Sequence, residues 1–187
     1  MNLYFIKDGL EILKLNKAKM SQVAGDNNAT VWAFVILGVP LVANIVLAAL
    51  QTTLFLSMQI KLLLIPLISI VAVIFLMSIV AQQLFHAKGS HMAFFRVVAY
   101  AGLVTWLSVI PFILGFVGVA DVYSIFNLVN LAAGIWMLVV TYHVLIDYYK
   151  LTQQNAIITI VLGIVGAAIL QSILGRILIG QFYSLMY

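Results

Sequence analysis

Apolar positions in this chain fall in long, unbroken runs, and polar positions gather in the short stretches between them. The runs cover residues 29–51, 62–82, 93–117, 124–145 and 156–179. A hydrocarbon core about 30 Å thick takes roughly 20 such residues as a helix. Strand-like alternation is absent, and helices are the way an open chain satisfies its backbone in lipid. The pattern therefore predicts an all-α, polytopic membrane protein with a bundle of five transmembrane helices over residues 29–187. The connectors at 52–61, 83–92, 118–123 and 146–155 are short, and no repeat or low-complexity tract divides the chain.

Residues 1–28 differ. Leu3, Ile6, Leu10 and Leu13 recur at helical spacing, with Lys7, Asp8, Glu11 and Lys14 on the other side. Phe5 and Ile12 widen the apolar face and Lys17 interrupts it. This pattern predicts an amphipathic helix lying in the interface, its lysines toward anionic head groups. Packing against the bundle is the alternative. Gly25-Asp26-Asn27-Asn28 then turns the chain into the membrane.

Composition sharpens the exclusions. Of 187 residues, 65% are hydrophobic and only 7% charged, against about 25% charged in a soluble domain. That excludes a water-soluble enzyme, a nucleic-acid-binding module and a disordered tail. The absence of cysteine removes disulfides, thiolate metal sites and cysteine nucleophiles. No cofactor is called for, and no cleavable signal peptide is visible ahead of Ala29. Charge placement sets an orientation: with the N-terminus inside, Lys7, Lys14, Lys17, Lys19, Lys88, Arg96 and Lys150 lie inside, and only Lys61 and Arg176 outside. Seven against two favours a cytoplasmic N-terminus and an external C-terminus in the cytoplasmic membrane, consistent with an odd number of spans.

Within the spans, Pro40, Pro66 and Pro111 each remove a backbone donor, and Ser69, Thr105 and Ser108 are candidates to repair the freed carbonyls. Gly163, Gly166 and Ala167 form a small-residue patch for close helix packing, with Ala132-Ala133-Gly134 as its internal mate or another subunit as its partner. Asn44, Asn127 and Asn130 are intramembrane amides that either line a polar path or bridge helices. His143 and Asp147 share one helical face, and His86 and His91 fall in a loop on the same side; three imidazoles and a carboxylate suit zinc, a proton relay or interfacial hydrogen bonding. Asp121 and Arg176 are placed to pair outside. Trp32, Trp106, Trp136, Tyr142, Tyr148 and Tyr149 read as interface anchors or packing. HExxH, GxSxG, a phosphate-binding glycine loop and paired intramembrane aspartates are all missing, so the reading is not an enzyme.

Gly89-Ser90, Phe94-Phe95-Arg96, Tyr100 and Pro111, followed by Gly134-Ile135-Trp136 and Ala156 opening a glycine-bearing last helix, resemble the Yip family of Rab-interacting membrane proteins over residues 30–171. The resemblance implies five spans, a cytoplasmic N-terminus and an outward C-terminus. With 28 residues ahead of Ala29 and no Asp-Leu-Tyr-Gly-Pro signature, the chain is most similar to the compact prokaryotic inner-membrane members, which offer no catalytic residues to carry over. Two functions follow as expectations. The first is membrane organisation, or binding of lipid, a protein partner or a second copy, through a cytoplasmic face holding Lys7, Lys14, Gly89 and Arg96. The second is a small proton or metal-ion transporter or channel with a path near Asn44, Asn127, His143 and Asp147.

Overall fold

The computed structural model describes residues 4–51, 56–116 and 122–186. Eight α-helices follow one another there: α1 (Tyr4–Leu13), α2 (Lys17–Gly25), α3 (Ala29–Gln51), α4 (Leu56–Phe85), α5 (His91–Ala101), α6 (Val109–Phe116), α7 (Val122–Asp147) and α8 (Gln153–Met186). A 3-10 segment, Gly102–Ser108, joins α5 to α6. No strand occurs among the described residues. Four stretches are long and apolar enough to cross a bilayer, and a fifth is added if α2 and Ala29–Ala43, bent by 109° at their junction, count as one.

The observed boundaries of α3 match the apolar run at 29–51. The turn before it is set by Asp26, whose Oδ1 accepts from Asn28 N at 2.9 Å while its carbonyl takes Ala29 N at 3.1 Å. Helix α4 starts earlier than hydropathy predicts, so Lys61 sits inside a helix rather than in a connector. Residues 52–55, and Asp121 with its expected partnership to Arg176, lie outside the described residues.

The third span is the hub. Two thirds of its apolar window (67%) is buried inside the protein, against 11% for α8. Every residue from Ala93 to Ala101 is buried, and α1, α2, α3, α4 and α7 all touch α5. Phe95 stacks on Phe75 with centroids 5.4 Å apart, and Phe94 meets Tyr149 edge-on at 5.2 Å. Outward, α7 and α8 present Leu131, Ile135, Val161, Val165 and Ile169 uncovered, which suits lipid rather than water.

That third span is broken, which hydropathy alone does not reveal. Thr105 Oγ1 donates to Gly102 O at 2.6 Å and Ser108 Oγ to Thr105 O at 2.7 Å. Such bonds to carbonyls three residues back accompany the tighter winding. The carbonyl freed by Pro40 is that of Ile36, and its donor is neither a serine nor a threonine: Trp106 Nε1 donates to Ile36 O at 2.9 Å. Trp106 is therefore a repair group rather than a belt anchor. Trp106→Phe strands that carbonyl, and the expected cost is about 1–3 kcal/mol, read as a lower thermal midpoint in detergent.

Correction of the small-residue pairing also follows. Gly163 and Gly166 do not face Ala132-Ala133-Gly134. A Cβ on Gly163 would collide with Met77, and one on Gly166 with Leu76, both on α4. The close contact is intramolecular, but its mate is the second span.

Candidate functional site: the basic end of the bundle

Helices α1 and α2, the α4–α5 connection and the α7–α8 connection converge at one end of the molecule. Helix α1 is docked onto protein. Its buried face is Phe5, Gly9 and Ile12, flanked by Ile6 and Leu13, which also pack against the core; Leu10 is exposed, and Leu3 lies outside the described residues. Phe5 stacks on Trp32 with centroids 4.4 Å apart. Gly9 lets α1 settle, since a Cβ there would stand 3.0 Å from Leu103 and 3.3 Å from Tyr100 O. Trp136 Nε1 donates to Leu13 O at 3.1 Å, so Trp32 and Trp136 both serve packing. Helix α1 thus packs on the bundle, the alternative that the sequence pattern leaves open, while Tyr4, Lys7 and Leu10 remain exposed.

Helix α1 does not run straight on into α2. Leu15 takes a left-handed conformation (φ 61°), and Asn16 caps α2 by accepting from Lys19 N at 3.2 Å. Lys14 Nζ bonds Glu11 Oε1 at 2.8 Å. That contact, with the Asn16 amide, holds the Glu11 carboxyl below its usual range. Lys19 pairs with Asp8 at 2.8 Å.

Arg96 is not on a lipid or partner face. It is 8% exposed, and its fork donates to Thr30 Oγ1 at 2.7 Å, Ala24 O at 2.9 Å and Asn27 Oδ1 at 2.6 Å. The guanidinium clips the α2–α3 turn onto α5. A lone arginine inside the otherwise apolar Ala93-Phe94-Phe95-Arg96-Val97-Val98 was the available signal, because a buried fork must find acceptors. Gly89 likewise serves a contact: its carbonyl accepts from Gln82 Nε2 at 2.9 Å, and a Cβ on it would stand 3.2 Å from the Tyr149 ring.

The His/Asp set does not assemble. His91 turns inward, its Nδ1 2.8 Å from Ser78 Oγ and 3.1 Å from Gln82 Nε2. Ser78 Oγ is also 2.7 Å from Tyr149 Oη, which donates to Ser90 O at 3.0 Å. Burial pushes the Tyr149 phenol up from its ordinary value. This network, missed by sequence reasoning, ties α4 to the α4–α5 connection and to the end of α7. His86 stays exposed at a left-handed position (φ 52°) closing α4. His143 Nδ1 stands 3.6 Å from Asp147 Oδ2, beyond hydrogen-bond range, while Asp147 Oδ1 takes Lys17 Nζ at 2.8 Å. Among the described residues, no three His, Asp or Glu side chains are placed to hold a metal ion. The zinc arrangement of His86, His91, His143 and Asp147 is thereby corrected: His91 faces Ser78 and Gln82, His143 stands by Asp147, and His86 is exposed.

The polar path fares similarly. Asn127 and Asn130 lie at the far end of α7 from His143, about 24 Å away for the 16 residues between Asn127 and His143. The Asn44 side chain is outside the described residues. What does open at the basic end is a cleft of about 500 Å³ between α2 and the α7–α8 connection. Lys17, Ser21, Asp147, Tyr148 and Lys150 line it, two cations against one carboxylate. Lys17 and Lys150 are both exposed.

Helical along most of its described residues, with four to five spans and an apolar exterior, the molecule is a multi-pass membrane protein. Its sequence matches the Yip1 domain over residues 15–175, and the chain belongs to that family. The match opens at Leu15 and so takes in the whole of α2. No curated protein and no solved structure matches the chain.

Proposed function

We propose that this Yip1-domain protein is a non-enzymatic organiser of the cytoplasmic membrane, its N-terminus cytoplasmic, which binds anionic head groups through the basic end of its bundle. The observation that carries this reading is the cleft between α2 and the α7–α8 connection, where Lys17 and Lys150 face a single carboxylate, Asp147. Lys7 adds exposed positive charge on the neighbouring α1, while Lys14, exposed just past its end, is paired with Glu11. The excess cation attracts phosphate, and Tyr148 and Ser21 offer hydroxyls to it. Arg96 and Gly89 belong to the support of this end rather than to its binding surface. A protein partner with an acidic segment is an alternative occupant, and a second copy another.

The transport reading is the weaker. The amides of α7 and its His143–Asp147 pair stand at opposite ends of the helix, and the intramembrane cavity against α6 is lined by Val104, Leu107, Ile110 and Pro111 with Ile125, Val129 and two alanines.

Lys17→Gln combined with Lys150→Gln tests the proposal. At about 1 kcal/mol per lysine, the double variant is expected to bind phosphatidylglycerol roughly thirtyfold more weakly, with phosphatidylcholine binding unchanged. Native mass spectrometry of the purified protein against graded lipid reads this. Equal phosphatidylglycerol binding by both proteins overturns the reading.

A further inference from the structure

The lysines at the basic end are largely neutralised by carboxylates of the same chain. Lys14 pairs with Glu11, Lys19 with Asp8 and Lys17 with Asp147, each at 2.8 Å. Of the two lysines in the cleft, Lys150 makes no ion pair among the described residues, while Lys17 is held by Asp147. Asp147 therefore occupies a cation that a phosphate entering the cleft would use.

The two oxygens of that carboxylate are placed differently. Oδ1 holds Lys17 Nζ, whereas Oδ2 is shut off from solvent and has no hydrogen-bond partner. A ligand in the cleft cannot reach Oδ2, so its missing donor must come from the protein. His143, one turn back on α7 and outside the wall of the cleft, holds Nδ1 3.6 Å from that oxygen. A neutral imidazole carries its single proton on one nitrogen or the other, whereas an imidazolium donates from both. Protonation thus sets a charged donor opposite an idle carboxylate oxygen, and a charge-assisted bond is roughly twice as strong as a neutral one. The His143 side chain is 36% exposed, so protons reach it from water. Histidine is the residue type whose charge ordinarily changes between about pH 5 and 8.

The other ionisable groups around this corner are committed or distant. Tyr142 meets the His143 ring edge-on at 5.7 Å, and Tyr148 and Lys150 stand across the cleft. On α1, Glu11 and Lys14 bond each other. On α5, Arg96 holds the α2–α3 turn and His91 faces Ser78 and Gln82. Arg176 of α8 is at the opposite end of the bundle.

We propose that Asp147 is a latch on Lys17 and that a proton on His143 releases it. The carboxylate is drawn onto the imidazolium, Lys17 joins Lys150, and the cleft binds anionic head groups more tightly as pH falls. This gating rests on the head-group reading of the cleft.

The experiment measures phosphatidylglycerol retained by the intact protein in mild detergent, by native mass spectrometry from solutions at about pH 7.5 and about pH 5.5, a step that spans histidine titration. The phosphodiester keeps its single charge across that step. The wild type is expected to bind about fivefold more tightly at the lower pH, the worth of one added cation. His143→Gln is expected to show the weaker binding at both, and His86→Gln, at an exposed histidine of the same end, to keep the rise. Asp147→Asn is expected to bind at the higher pH about as tightly as the wild type does at the lower. Equal wild-type binding at both, a full rise in His143→Gln, its loss in His86→Gln, or weakened binding by Asp147→Asn overturns the latch and leaves the head-group site standing. No binding at either pH, or binding indifferent to Lys17→Gln with Lys150→Gln, removes the head-group site and the latch with it. Should Asp147→Asn misfold, the wild-type rise and its loss in His143→Gln decide the matter.

Discussion

Gly163→Leu is expected to cost about 3 kcal/mol, seen as a lower thermal midpoint and earlier aggregation in detergent. Membrane helices gain nothing from hiding apolar surface from each other, because lipid is equally apolar; they associate through close contact. Helices α4 and α8 share the most extensive contact of any helix pair in the fold, and Gly163 and Gly166 are where α4 side chains enter the α8 backbone. A leucine at 163 must displace Met77, itself 5% exposed and packed in the core, and pushes the helices apart along their shared length. Gly175→Leu, on the same helix, meets nothing within 4 Å and is the control expected to remain near wild type. If both substitutions behave alike, the close approach is not what holds α8.

Arg96→Met is expected to be as damaging, at about 3 kcal/mol, because it strands three acceptors at once. Arg96→Lys is expected to recover less than half of that, since a single ammonium cannot serve a carbonyl, an amide oxygen and a hydroxyl in the same fork geometry. The readouts are thermal midpoint and protease cleavage within Gly25-Asp26-Asn27-Asn28, which the guanidinium holds against α5. Unaltered cleavage in Arg96→Met would show that the turn stands without its clip.

How much of this was legible in the sequence depends on the kind of information each feature needs. Residues 29–51 were read correctly because bilayer thickness imposes a length on any run that crosses it, and Asp26-Asn27-Asn28 announces a turn by local chemistry. The docking of helix α1 is partly legible: Phe5, Ile6, Ile12 and Leu13 stand out in the apolar pattern, whereas Gly9, whose worth is the side chain it lacks, does not. The mate of Gly163 was unreadable for a related reason: a helix apolar on every side has no preferred face in its pattern, so which neighbour it touches is decided in three dimensions. Residue type reads Trp106 and Tyr149 as interface anchors or packing and cannot say that one repairs Pro40's missing bond while the other anchors a buried network with Ser78. The histidines were grouped by side of the membrane, which is far coarser than the few ångströms a metal demands.

The seven residues of 3-10 winding from Gly102 to Ser108 do more than mark a break. Each advances about 2.0 Å instead of 1.5 Å and turns about 120° instead of 100°. Over the segment this lengthens the span by about 3.5 Å and rotates everything beyond it by roughly 140°. Helix α6 therefore shows its neighbours nearly the reverse of the side that an unbroken helix would have shown, and Pro111 comes to rest buried. The central rod of this protein is geared part-way along, and a single helical wheel drawn through residues 91–116 assigns its two halves to opposite sides.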